Sequence, residues 1–271
     1  MRPWVDGQPQ ENLGLGNRGL AYGDGVFETL RVTAGQPRLL GRHLQRLASA
    51  SQRLALPLDL AQAEDEIARY ARSMGEGVLK LIVTRGDGPR GYGIDASVPA
   101  VRILQASPLP AYPASHAEQG VALFACNTRL ALQPALAGLK HLNRLEQVLA
   151  RAEWQGAAFA EGLMRDSDGR VIEGVFSNLF LFLGGVLCTA DLSRCGVAGT
   201  LRAELLARAD GQGLAARVVD LTMAELAAAD EVFVCNSVYG IWPVIACGEL
   251  KWPVGAATRT LQRLAHELLD S

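Results

Sequence analysis

An α+β chain in two domains is what this sequence predicts, and three observations predict it. Strand-like apolar runs, such as Val78–Thr84 and Glu231–Cys235, alternate with stretches of helical spacing, such as the apolar positions 44, 47, 48, 54 and 55. With 271 residues, 49% of them hydrophobic, the chain is long enough to bury a substantial core and to divide. The proline-rich stretch Ser107-Pro108-Leu109-Pro110-Ala111-Tyr112-Pro113-Ala114-Ser115 marks where it divides. Residues 1–106 are therefore expected to form a small α/β domain, 107–116 a linker, and 117–271 a larger domain rich in strands with flanking helices.

Each element has its own warrant. Residues 2–10 read as a short hairpin around Asp6-Gly7, and Gly25–Val32 as a strand that turns at Ala34-Gly35 into a second one. A helix follows from Arg42, then a polar helix over about 60–75, then strands at Val78–Thr84 and Val101–Gln105. Past the linker come a strand over Val121–Ala125 and a helix over Gly138–Arg151. A hairpin joins Leu163-Met164 to Val171–Glu173 through Asp166-Ser167-Asp168-Gly169, and the apolar run ending at Phe182 continues from it. A helix ending near Ala209, a strand at 217–219, a helix over Met223–Ala229, a strand over Glu231–Cys235 and a closing helix over Ala256–Leu269 complete the chain.

Several function classes fall away. A net charge of −2 leaves no electrostatic footprint for nucleic acid or an anionic membrane, so the partner expected is a small molecule. No apolar run reaches the length of a membrane helix and the first residues lack a signal-peptide core, which predicts a cytoplasmic protein. Five cysteines without C-x-x-C spacing and four histidines without H-E-x-x-H spacing predict neither disulfides nor a metal site. Gly14-Leu15-Gly16-Asn17-Arg18-Gly19 matches G-x-G-x-x-G, but a strand rather than a helix is expected after it, so no dinucleotide site is assigned.

Lysine is scarce: among 26 basic residues only Lys80, Lys140 and Lys251 are lysine. Read as a helix, Gly138–Arg151 puts Leu142, Leu145, Leu149 and Ala152 on one face, with Lys140, Arg144, Gln147 and Arg151 opposite. Lys140 then reads either as part of a solvated face or as a nucleophilic amine whose pKa is lowered at a helix start. The string Gly138-Leu139-Lys140-His141-Leu142-Asn143-Arg144-Leu145-Glu146-Gln147-Val148-Leu149-Ala150-Arg151 resembles the lysine segment of the aminodeoxychorismate lyases. These are fold-type IV pyridoxal phosphate enzymes related to branched-chain and D-amino acid aminotransferases. Arg18–Thr29, with its three glycines, resembles the N-terminal signature of the same group.

That resemblance implies roles for further residues, each of which also has a plainer reading. Arg46, in an H-x-x-R element, matches the arginine that grips the cofactor phosphate, and is otherwise a surface arginine. Glu173, the one carboxylate in the apolar run Val171–Leu183, matches the partner of the pyridine nitrogen with Asn178 beside it, and is otherwise half of a structural salt bridge. Val197 and Ala198, before a helix, match the backbone amides that hold the phosphate, and are otherwise an ordinary N-terminal loop. Ser237 matches a further phosphate ligand. Asn236, Arg90 and Tyr92 match lyase positions that meet an acidic substrate, or else simply build turns.

The activity implied is conversion of 4-amino-4-deoxychorismate to 4-aminobenzoate and pyruvate by a homodimer, with pyridoxal 5'-phosphate held on Lys140. A related aminotransferase acting on D- or branched-chain amino acids and a catalytically silent binding protein are the alternatives.

Overall fold

Alternation along Gly25–Thr33 organises the first of two units. The computed structural model of the chain describes residues 1–270, and they fall into two compact units. The first comprises residues 1–110, Leu139–Asn143 and the last described residues, Leu269 and Asp270. In chain order it holds β1 (Trp4–Val5), β2 (Gln8–Pro9), α1 (Arg18–Tyr22), β3 (Gly25–Thr33), β4 (Gln36–Pro37), α2 (Leu40–Arg53), α3 (Leu60–Met74), β5 (Gly77–Thr84) and β6 (Val101–Ser107). The six strands form an antiparallel sheet in the order β2-β1-β6-β5-β3-β4.

Period two along β3 turns Val26, Leu30 and Val32 inward to meet Leu47, Ile67, Tyr70, Leu79, Leu81 and Leu104. The same period carries Glu28 inward. Helix α3, expected to be polar, buries Ala63, Ile67, Tyr70 and Ala71, together with Glu66, which pairs with Arg102 at 2.9 and 3.0 Å. Its polar residues line one face only, and a sum over the segment hides that.

The second unit comprises Ala111–Gly138 and residues 144–268. It holds α4 (Ser115–Glu118), β7 (Val121–Leu130), α5 (Leu145–Ala152), β8 (Glu161–Asp166), β9 (Val171–Gly174), β10 (Asn178–Leu183), β11 (Val186–Ala190), α6 (Thr200–Arg208), β12 (Ala216–Val219), α7 (Met223–Ala227), β13 (Glu231–Asn236), β14 (Gly240–Cys247), β15 (Leu250–Lys251) and α8 (Ala256–Asp270). The nine strands run β12-β11-β10-β13-β14-β7-β8-β9, with β15 on β14. Because β9 also pairs with β10, through Asn178 opposite Glu173, six of these strands close into a ring. Its core includes Leu123, Leu163, Met164, Ile172, Leu179, Leu181, Val232, Val234, Trp242 and Val244.

Four expectations are corrected here. A five-residue helix, α1, follows the glycine-rich start where a strand was expected, because Asn17 caps it by accepting from the Gly19 amide at 2.9 Å. Strands β11 and β14 were not anticipated. The Lys140 segment belongs with the first unit and not with the C-terminal one. Residues 138–144 are not helical, since the helix starts at Leu145, and Val26 instead bridges His141 in an antiparallel extension of β3.

The amphipathic reading of α5 is reversed as well. Leu145 is 75% exposed and Leu149 60%, while the buried residue of the helix is Ala150. Glu146 is used structurally, accepting from the Ala131 amide at 2.8 Å. Among the described residues no helix is long and apolar enough to cross a membrane.

Candidate active site

In the first unit, Lys140 stands on an extended segment held to β3 at both ends. The Phe27 amide donates to the Lys140 carbonyl at 2.9 Å, and the Leu142 amide to the Gly25 carbonyl at 3.0 Å. The Asn143 side-chain amide donates to the Gly23 carbonyl at 3.2 Å. The Lys140 Nζ lies 4.4 Å from the centre of the Phe27 ring, whose face attracts a cation. Lys140 does not stand at a helix start, since α5 begins five residues later.

Glu28, next along β3, organises the charges around it. Arg46 of α2 donates from Nε to Glu28 Oε1 at 2.8 Å and pairs through a terminal nitrogen with Oε2. His43 Nδ1 lies 2.6 Å from the same Oε2. Burial holds the imidazole below its ordinary range despite Glu28, so the neutral ring donates Nδ1–H. Burial also opposes the Glu28 carboxylate, but the charge and hydrogen bond of Arg46, with His43, outweigh it and bring Glu28 down to about 2. Arg46 is thus a fixed fork and not a surface arginine.

That pKa has a stability consequence. The folded value lies below the ordinary 4.5, so the stabilisation is complete above about pH 4.5 and is lost as pH falls toward 2. About 2 kcal/mol is lost by pH 3. Denaturant unfolding at pH 7 and pH 3 is expected to show this loss in the wild type and a distinctly smaller one in Glu28→Gln, which starts from lower stability because Arg46 is left buried without its carboxylate.

Arg90 and Tyr92 are exposed, whereas the glycine between them is clamped. The Gly91 amide donates to the Tyr22 hydroxyl at 3.0 Å and its carbonyl accepts from Arg18 Nη1 at 2.9 Å. Asp24 in turn holds Arg18 and Arg85 at 2.9 and 2.8 Å.

In the second unit, Glu173 and Asn178 face each other across β9 and β10. Glu173 Oε2 accepts from the Val197 amide at 2.9 Å and from Asn178 Nδ2 at 3.5 Å, and Asn178 Nδ2 also donates to the Val197 carbonyl at 2.8 Å. Gly199 is a glycine because a Cβ there would run into Asn178 Oδ1. Arg144 and Arg202, each largely buried, bring positive charge to Glu173. Sequence reasoning placed Arg144 on a solvated face and gave Arg202 no role; the order glycine, short polar residue, apolar residue, arginine at a helix start was the available signal for Arg202.

The amides of Val197 and Ala198 and the side chain of Asn236 all have partners within the chain. The Val197 amide is engaged by Glu173 and the Ala198 amide donates to the Gly138 carbonyl at 3.0 Å, so these two N–H groups are already used in building the site. The helix-start amides lie three residues on, at Thr200 and Leu201, where first-turn N–H groups point out of α6 and Gly199 brings no side-chain cap. Asn236 builds the β13–β14 turn: its Oδ1 accepts from the Val238 and Tyr239 amides at 2.9 and 3.0 Å, and its Nδ2 donates to the Phe176 carbonyl at 3.3 Å. Ser237 is the first residue of that turn.

Glu161, absent from the sequence-based assignment, is fully buried beneath the Glu173–Asn178 pair's connecting loop. Its carboxyl accepts from the Gly162 amide at 2.8 Å, the Val175 amide at 3.0 Å, the Phe176 amide at 3.3 Å and the Ser177 hydroxyl at 2.6 Å. Burial pushes it up to about 7 against these four donors.

Of the donors that a phosphorylated heteroaromatic cofactor requires, the first unit holds a lysine backed by an aromatic face and a fixed arginine fork, and the second a buried carboxylate locked by an amide and an asparagine. The family model of amino-transferase class IV matches residues 25–247.

The chain belongs to that family.

As a class IV amino-transferase relative it has the fold-type IV, α+β architecture. It is 38% identical over 267 residues to an aminodeoxychorismate lyase of Vibrio harveyi, covering 96% of this chain and 97% of that one. The crystal structure of 4-amino-4-deoxychorismate lyase from Pseudomonas aeruginosa matches with a TM-score of 0.97 and 60% identity over 99% of this chain and 100% of that one. A putative branched-chain-amino-acid aminotransferase of Methanocaldococcus jannaschii is 30% identical over 233 residues, 84% of this chain and 80% of that one.

Proposed function

We infer that this chain is a pyridoxal phosphate-dependent aminodeoxychorismate lyase, releasing pyruvate from 4-amino-4-deoxychorismate and leaving 4-aminobenzoate, a folate precursor. The observation that carries the reading is the 60% identity to the Pseudomonas aeruginosa lyase over essentially the whole of both chains. The donor set described above fits the cofactor.

Lys140 would hold the cofactor through Nζ, and the same amine, when free, would take the proton from the substrate ring carbon that bears the nitrogen. Glu173, held in place by Asn178 and the Val197 amide, would be the partner of the pyridine nitrogen. Pyridoxal phosphate, when bound, supplies an electron sink for the charge left at that carbon. Arg46 would hold the phosphate, as would the Thr200 and Leu201 amides and Ser237. Loss of pyruvate leaves an aromatic ring, so no 2-oxo acid is needed to complete the turnover.

Arg90 and Tyr92 offer a guanidinium and a phenol to the substrate carboxylates from a loop clamped between them at Gly91. A homodimer in the cytoplasm is the working form, and Leu145, Val148 and Leu149 on α5 are the apolar surface that a second copy covers.

Cofactor-loaded protein supplied with 4-amino-4-deoxychorismate and no 2-oxo acid is expected to release 4-aminobenzoate and pyruvate in equal amounts. A requirement for a 2-oxo acid, or release of neither product, overturns the lyase assignment.

A further inference from the structure

Phe176 is 39% exposed, and the backbone on both sides of it is pinned. It sits in the loop that joins β9 to β10, where Glu173 and Asn178 are opposite partners and the Gly174 amide closes onto the Ser177 carbonyl at 2.7 Å. Two residues from Asn178, its Cα is at most about 7 Å from that residue's. Glu161 receives the Phe176 amide at 3.3 Å and the Ser177 hydroxyl at 2.6 Å, and Asn236 donates to the Phe176 carbonyl at 3.3 Å. A hairpin tip held from both sides does not fold its side chain away.

The ring is also backed. Tyr239 meets it edge to face, with centroids 6.4 Å apart and planes at 90°. Tyr239 in turn stacks on Trp242 at 3.8 Å, and Tyr112, 42% exposed, packs edge-on against both. Such a wall suits a flat ring, because aromatic faces and edges pair with defined geometry and exclude water from one another. A loop this constrained, carrying an exposed aromatic side chain between the two residues that hold the cofactor ring, is a recognition surface and not a packing remnant.

We propose that Phe176 is the specificity-determining contact for the six-membered ring of the substrate and of its aromatic product, and that Glu161 and Asn236 are positioning residues that hold it there. This rests on the lyase reading above. It assigns to Asn236 an indirect role in place of direct contact, and gives Glu161 a reason to be a buried carboxyl where an apolar side chain would pack more simply.

The test uses the full-length, cofactor-loaded protein and its Phe176→Ala, Phe176→Leu and Phe176→Tyr variants. Phe176→Ala and Phe176→Leu are expected to raise both KM for 4-amino-4-deoxychorismate and Kd for 4-aminobenzoate about tenfold. Cofactor affinity should stay within about twofold, and Phe176→Tyr should restore the wild-type values. Unchanged KM and Kd in the alanine and leucine variants overturn the proposal. So does a loss confined to cofactor affinity, or a shift in the monomer–dimer midpoint with ring binding intact. Wild-type protein that forms no 4-aminobenzoate sinks the lyase reading separately, and the 4-aminobenzoate titrations still decide whether Phe176 meets a ring.

Discussion

Lys140→Ala is expected to abolish turnover and, with it, the lysine adduct that borohydride reduces in the wild-type protein. The effect is the largest of any single substitution because one amine is asked both to carry the cofactor and to move the proton. The fold should be retained, since the Lys140 segment is held to β3 through its backbone and through Asn143, not through the lysine side chain. Peptide mapping after borohydride reduction locates the adduct, and circular dichroism checks the fold. Measurable 4-aminobenzoate formation by Lys140→Ala at the wild-type rate ends the assignment. Lys251 lies in the two-residue β15, whereas Lys80 Nζ is 5.3 Å from the centre of the same Phe27 ring, so the mapping also tells a Lys140 adduct from a Lys80 one.

Glu173→Gln is expected to keep most of the cofactor affinity while slowing the proton-transfer step by about two orders of magnitude. The glutamine oxygen can still accept from the Val197 amide as Glu173 Oε2 does at 2.9 Å, so the geometry persists and only the charge is lost. Single-turnover measurements separate the two quantities, because binding and chemistry are then read independently. An unchanged single-turnover rate in Glu173→Gln counts decisively against its role opposite the pyridine nitrogen. Removing the charge also leaves Arg144 and Arg202 without the carboxylate they face, so a modest loss of stability should accompany the kinetic effect.

Much of the architecture was legible before any coordinates, because strand and helix periods are local properties. Val26, Leu30 and Val32 alternate, and the hairpin Asp6-Gly7 is a turn whichever fold surrounds it. What escaped was also systematic. The wheel over Gly138–Arg151 distinguishes two faces of a helix, but it cannot say which face has a neighbour, nor that the helix begins only at Leu145, with Lys140 to Leu142 laid beside β3. Glu28 escaped too, as a charge on the inward face of a strand. Its partners Arg46 and His43, some 15 to 18 residues further on, become visible only when α2 packs against that strand.

The sequence by itself determined the class of chemistry through its resemblance to a known family, carried by the lysine segment and by an arginine before it, a carboxylate after it and a glycine-rich entry to a helix, in that order. Taken singly, each of these residues kept a plainer reading. Only the tertiary structure decided how those groups are committed. It shows that the Val197 and Ala198 amides are engaged by Glu173 and Gly138, that Asn236 builds a turn, that Glu161 holds the loop between Glu173 and Asn178, and that Arg144 brings positive charge to Glu173. The physical reason is that a hydrogen bond between residues 14 or 24 apart in the chain depends on strand register and loop closure, and neither is encoded in the spacing of the residues that make it.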